Sequence, residues 1–250
     1  PGIRWFRESV RADPHYVNAH FGIADSHFRK GEHEPALAAF RTVVRLQPGR
    51  ERIHGKIAAC LVHLERFEEA EATLVPAIER DPGNPQLRLF LEKCLEKRGE
   101  TAEAIASLRH GLALAPDEAN LHFHLATMLE NTGDRAGAVE HLERAVALRP
   151  GFHDAHHNLG VTLVRAGDYD RAIPHFRAAL AGDPRYADDH LQMAQTLLQA
   201  NRTGDAIAIC EDILRLQPEH PMARNLLNLA RAVLSGQPEG PSPAPDGTGG

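Results

Sequence analysis

Residues 153–186 read HDAHHNLGVTLVRAGDYDRAIPHFRAALAGDPRY, and two apolar stripes are written into them. Ala155, Leu159 and Leu163 recur every four residues and give one helical stripe. Gly167 breaks that helix and Asp168 suits the turn. Ala172, Phe176, Ala179 and Leu180 form a second stripe. Pro184 ends it, because proline lacks the amide hydrogen that would continue a helix. Gly160 and Ala172 are small where the two helices must approach closely. The stretch therefore reads helix, turn, helix.

The same pattern repeats along the 250-residue chain. Prolines stand at 14, 48, 82, 116, 150, 184 and 218, each 34 after the last. Ala36, Ala70, Ala104, Ala138, Ala172 and Ala206 keep the same step, and so do Ile23, Ile57, Leu91, Leu125, Leu159 and Met193. Three registers in phase make this a repeat array, in which each unit buries its apolar face against its neighbours.

These residues resemble the tetratricopeptide repeat. In 153–186 the family pattern falls on His156, Leu159, Gly160, Leu163, Gly167, Tyr169, Ala172, Phe176, Ala179 and Pro184. The resemblance implies an all-α, right-handed α-solenoid of helix-turn-helix repeats at 17–50, 51–84, 85–118, 119–152, 153–186 and 187–220. Residues 1–16 fit the second helix of a truncated repeat, which leaves Trp5 and Phe6 without their usual cover and points to sequence upstream. Residues 221–234 are expected as a capping helix, with Leu226, Leu229, Ala230 and Val233 facing the array. The Pro/Gly/Ser-rich stretch 235–250 is expected as a disordered tail.

Composition narrows the function. A net charge of −6 and few aromatics disfavour a nucleic-acid binder, which needs a basic stripe and stacking platforms. No apolar run approaches the roughly 20 residues that span a bilayer. A cytoplasmic location is expected, although a signal or anchor upstream of Pro1 would change it. The arginine-rich, lysine-poor usage suggests a bacterial chain. Cys60, Cys94 and Cys210 have no zinc-finger spacing and read as small buried hydrophobes. No GxGxxG, Walker, HExxH or GxSxG motif occurs, so neither a catalytic residue nor a cofactor is assigned.

The 16 histidines raise the question of a metal. His153 and His157 are four apart on one helix, with His156 between them. Yet His20, His54, His122, His156 and His190 share one register position, which Arg88 and Arg224 fill elsewhere. Neighbouring helices lie about 8–10 Å apart, whereas zinc holds its ligands at about 2 Å. The excess is read as one structural slot copied along the array, and no metal site is assigned.

By resemblance, a peptide ligand would lie in the concave groove lined by the first helices. Candidate contacts in the N-terminal half are Phe21, Asp25, Phe28, Arg29, Arg52 and Lys56, continuing with Leu89, Lys93, Lys97 and Phe123. In the C-terminal half they are His157, Arg165 and Leu191. The first set mixes apolar anchors with an excess of positive charge. The expected partner is a protein or peptide segment with apolar anchors and an acidic end, bound by a non-catalytic scaffold or adaptor; self-association is an alternative. A different reading makes the array the substrate-recruiting part of a larger glycosyl- or sulfotransferase. Two family specialisations fit poorly. The carboxylate clamp would use Arg52 and Lys56 but meets Gly22 where it needs asparagine. An asparagine ladder finds only Asn158.

Four irregularities remain. Glu92 occupies the close-packing slot held elsewhere by alanine or glycine, and should wedge the helices apart or swing outward. Arg88 replaces the slot histidine in the same repeat. Glu65 and Asn201 replace turn glycines, and Pro76 inside a second helix should kink it.

Overall fold

The computed structural model describes residues 2–50 and 52–236. The expected disordered tail lies outside them from residue 237 onward. Among the described residues the chain is helical, with no strand. The helices are α1 (Gly2–Ala12), α2 (Val17–Arg29), α3 (His33–Leu46), α4 (Ile53–His63), α5 (Phe67–Arg80), α6 (Pro85–Lys97) and α7 (Thr101–Leu114). They continue as α8 (Ala119–Asn131), α9 (Arg135–Leu148), α10 (His153–Arg165), α11 (Tyr169–Gly182), α12 (Ala187–Gln199), α13 (Thr203–Leu216) and α14 (Pro221–Ser235). A 3-10 turn, Pro184–Tyr186, precedes α12.

The chain divides into two compact units, Pro1–Gly133 and Asp134–Gly250. In the first, successive helices pack on each other from α1 to α8. Ala24, Ala36, Phe40, Ala58, Leu61, Ala70 and Leu74 lie in its core. In the second, α10 packs on α11, α12 on α13 and α13 on α14, around Leu159, Ala172, Phe176, Ala194 and Ile209. Fully burying a leucine- or phenylalanine-sized side chain contributes about 1.5–3 kcal/mol, so the recurring apolar slots carry most of each repeat's stability. Gly160 lies under the Phe176 ring, which a Cβ there would meet at 2.8 Å. Phe6 packs over Gly22 in the same manner, whereas Trp5 stays 72 % exposed.

Three of the five register histidines share one local cause. A ring nitrogen of His20, His122 and His156 donates to the carbonyl of Pro14, Pro116 and Pro150 at 2.9, 2.9 and 3.0 Å. The two arginines in this slot do the same. Arg88 donates to the Pro82 carbonyl through Nε and Nη2 at 3.2 and 3.0 Å, and Arg224 donates to that of Pro218. Five of the seven closing prolines, Pro14, Pro82, Pro116, Pro150 and Pro218, thus have the carbonyl met from the first turn of the next helix. Arg88 is longer than histidine and needs room. Gly111 on α7 supplies it, since a Cβ there would stand 2.6 Å from Arg88 Cδ.

Turn glycines Gly31, Gly99, Gly133 and Gly167 have φ between +76° and +88°. Glu65 and Asn201 adopt the same left-handed backbone, at +56° and +60°. Both are followed by an arginine that ties its own helix to the preceding repeat. Arg66 binds Glu69 and Glu34, and Arg202 binds Asp205 and Asp170. The two repeats without a turn glycine therefore share an ion-pair device across that turn.

Two expectations need correction. Glu92 does not swing outward: it is 3 % exposed, and its Oε2 lies 3.2 Å from His124 Nδ1. That polar partner within the fold lets a carboxylate occupy the slot. The α14 face is rotated from the one expected. Ala223, Leu226, Leu227 and Ala230 are buried, whereas Leu229 and Val233 face outward. Helix α5 runs from Phe67 to Arg80 with Pro76 inside it, and α11 carries Pro174 likewise.

The pairing of Arg88 with Gly111 can be tested directly. Gly111→Ala should destabilise the chain by about 1–3 kcal/mol through overpacking. Arg88→His in that background should restore most of the loss, because imidazole in this slot reaches the proline carbonyl without so long a stem. Urea midpoints of the three chains measure this, and no recovery would mean the conflict is not with Arg88. Separately, Glu65→Gly should raise the midpoint, relieving about 0.5–1 kcal/mol of left-handed strain.

Candidate functional site

On the first unit, the candidate residues sit on the first helices α2, α4, α6 and α8. Phe21 is half-buried, with its ring edge-on to Phe40 at 5.7 Å and the Arg50 guanidinium 4.5 Å from its centre. Phe28 stands edge-on to His33 and His63, which stack parallel with centroids 4.3 Å apart. Lys56 Nζ lies 5.6 Å from the Phe28 ring centre. Leu89 and Phe123 are also half-buried, and Phe123 meets His124 edge-on at 5.5 Å. Aromatic surface half-covered in this way retains area for a partner.

The positive charge divides into two kinds. Asp25 holds both Lys56 and Arg29, at 3.1 and 2.8 Å. Arg52, Lys93 and Lys97 are exposed and form no ion pair among the described residues. Burial, then His33 and Lys93 nearby, push the His63 pKa below the usual histidine value. The sequence reading missed His33 and His63. His63 occupies the register of Arg29 and Lys97, which was the available signal.

On the second unit, His157 borders a cavity of about 430 Å³ walled by Val161, Val164, Met193 and Phe176, with Arg165 and Asp189 at its rim. The His157 ring stacks on Tyr186 at 4.6 Å, and the Tyr186 hydroxyl donates to Asp154. Burial, then that hydrogen bond, raise the Tyr186 pKa. Leu191 does not belong on this surface. It is 4 % exposed and packs inward, so its place among the groove contacts is withdrawn.

The histidine cluster disperses. The His153 ring lies against Gly182, His156 bonds Pro150 and approaches His175 at 3.0 Å, and His157 turns to Tyr186. Among the described residues no group of three or more His, Cys, Asp or Glu side chains is arranged to hold a metal. The three cysteines are buried, and burial pushes each thiol up to about 11. Within the described residues, no helix is long and apolar enough to cross a membrane.

Stacked helix pairs with a fixed period, small residues at the crossings and a proline at each close define a helical-repeat solenoid. Two profiles described as "Tetratricopeptide repeat" match the chain, one at 30–94, 61–129 and 163–230, the other at 3–51 and 123–189. The chain belongs to the tetratricopeptide repeat family. Curated proteins offer no match. Solved structures do. A fragment of MamA from Desulfovibrio magneticus RS-1 is 20% identical with a TM-score of 0.56, over 68% of this chain and 96% of that one. Cut9 in the APC/C hetero-tetramer Cut9–Hcn1 is 20% identical with a TM-score of 0.65, over 90% and 45%. YrrB, described as a TPR protein with an unusual peptide-binding site, is 20% identical with a TM-score of 0.53, over 79% and 97%. At these identities the likeness is one of fold.

His190 makes the second unit sensitive to acid. It fills the proline-capping slot, but the Pro184 carbonyl is taken by Gln217 Nε2 at 2.9 Å and by the backbone within the 3-10 turn. The His190 Nε2 is left without a partner in a ring that is 1 % exposed. Burial, then His157, lower its pKa to about 4. The unfolded chain therefore binds a proton below about pH 6.5 that the fold resists, and stability falls as pH drops from there toward 4. The loss is on the order of 3 kcal/mol at full development. His190→Phe should flatten the fall in urea midpoint between pH 7 and pH 4.5, an outcome that an unchanged slope would contradict.

Proposed function

We propose that the chain is a non-catalytic interaction scaffold whose first unit binds a protein or peptide segment with apolar anchors and an acidic end. The observation that carries this reading is the combination on α6 and its neighbours. Lys93 and Lys97 form no ion pair among the described residues and share α6 with half-buried Leu89. Phe28 lies at the far end of α2, braced by the stacked imidazoles. A segment placing apolar side chains against Phe28 and Leu89 would bring its acidic end to charges that this chain does not neutralise. Phe21, Phe123 and Arg52 extend the surface, while Asp25, holding Arg29 and Lys56, sets its polar edge. Exposed lysines of this kind chiefly speed association and set salt dependence, and apolar contacts set lifetime. The peptide-binding description of YrrB is in keeping with this reading.

The test is capture from native lysate with two baits, the chain and its Lys93→Glu/Lys97→Glu variant. Both substitutions are on exposed side chains, so the fold should hold, and a thermal melt checks it. A partner retained by the first should fall at least tenfold on the second. Its capture should weaken as salt rises from about 0.05 to 0.5 M, where the screening length shortens severalfold. A partner held equally by both baits and indifferent to salt would rule out the acidic-end reading.

A further inference from the structure

A second surface on the first unit has different chemistry. A depression of about 550 Å³ opens beside the turn between α3 and α4, lined by Arg50, Arg52, His54, Gly55, Arg80 and Asp81 among others. Many arginines are tied to carboxylates, as Arg41, Arg66, Arg98, Arg177 and Arg231 are. Arg50, Arg52 and Arg80 form no ion pair among the described residues. Arg50 donates to the neutral amides of Asn18 and Gln47 at 3.0 and 3.4 Å and stacks over Phe21. Arg80 donates to the Pro76 carbonyl at 3.0 Å and to His54 Nε2 at 3.3 Å. Arg52 is exposed with no ion pair among the described residues. Asp81, the one described carboxylate of the lining, accepts from Asn84 Nδ2 at 2.8 Å.

Three departures from the repeat pattern coincide here. His54 holds the slot whose other occupants mostly cap a proline carbonyl, yet its Nε2 turns to Arg80 and orients that guanidinium. Arg52 has φ +59°, a left-handed backbone that a non-glycine residue adopts at a cost and that collects at functional sites. Gly55 stands where the other repeats carry Phe21, Leu89, Phe123, His157 or Leu191, and the missing side chain leaves the wall open. Guanidiniums held in place by neutral partners keep their charge for a ligand, and their planar donors match tetrahedral oxyanions.

We propose that this depression is a binding site for a phosphate monoester, with Arg50, Arg52 and Arg80 meeting the phosphoryl oxygens and the space beside Gly55 taking the group that carries it. Among the described residues, three cations face one engaged carboxylate, which suits a dianion better than a single carboxylate, and the volume exceeds that of a bare phosphate ion. The site stands whether or not a segment occupies the surface of α6.

The full chain would be titrated calorimetrically with inorganic phosphate, with a phosphoserine flanked by alanines, and with the same peptide lacking phosphate. Ionic strength is matched with sodium chloride. Saturable one-site binding of the phosphopeptide, with none for the bare peptide, is expected. If the phosphopeptide binds tighter than phosphate, the ester is borne on protein; if both bind alike, a free phosphate compound is the source, and either result supports the site. Arg52→Gln/Arg80→Gln should weaken binding at least tenfold. Gly55→Leu should do the same by filling the space, and should fold, because a Cβ there meets Leu87 and Phe90 at 3.6 and 3.9 Å. Arg109→Gln, an exposed arginine on α7, should change nothing. Non-saturable heats, equal binding of the bare peptide, or an equal loss with Arg109→Gln would overturn the proposal.

Discussion

A proline that closes a helix leaves its own carbonyl facing the start of the next one, and that acceptor has to be met. At five of the seven closing prolines a side chain from the following helix's first turn meets it, six residues on, as His20, His122 and His156 do with imidazole and Arg88 and Arg224 with guanidinium. The bond fixes how each repeat hands over to the next, and the apolar slots at the helix crossings fall into register behind it. These prolines are exposed, so the bond adds about 0.5–1.5 kcal/mol beyond what water would supply. Two repeats depart from it, and at the first His54 turns to Arg80. At His190 the compensation is external, with Gln217 reaching back to Pro184 while the histidine goes unpartnered.

The period, the helix pairs and the turn positions are legible in the sequence because one contact pattern is copied many times and chance cannot mimic it. The slot itself is visible as a row of histidines, but its bond is not, since the acceptor is a backbone carbonyl that no residue name reveals. What fails to read is whatever breaks the copy. Glu92 looks misplaced until His124, a repeat later, supplies its partner. Leu191 shares the register of Phe21, Leu89 and Phe123, which stay half-buried, yet it sinks; residue type does not decide this, since Leu89 is leucine too. On α14 the apolar residues outnumber the places to bury them, so periodicity alone does not say which face turns inward.

The same distinction separates the two positively charged surfaces of the first unit. Counting charges along the register joins Arg29, Lys56, Lys93 and Lys97 into one basic field. The geometry splits them, because Asp25 pairs with the first two, whereas the α6 lysines form no ion pair among the described residues. Around the α3–α4 turn, the guanidiniums are scattered over the turn and the end of α5, and the sequence gives no reason to group them. Arg50 and Arg80 are met by amides, a carbonyl and an imidazole in place of carboxylates, and Arg52 forms no ion pair among the described residues, which appears only once the side chains are placed.

Arg88 and Gly111 have a consequence for how such an array can change. Both lie within 85–118, twenty-three residues apart, one on each helix of the pair. An exchange of whole 34-residue blocks would carry them together and leave the packing intact. A crossover between codons 88 and 111 would join the long side chain to an alanine, valine or isoleucine from another block, or leave a hole beneath a histidine. The junctions at the prolines are thus permissive places for recombination and the interior of this block is not, which makes the repeat, and not the helix, its unit of inheritance.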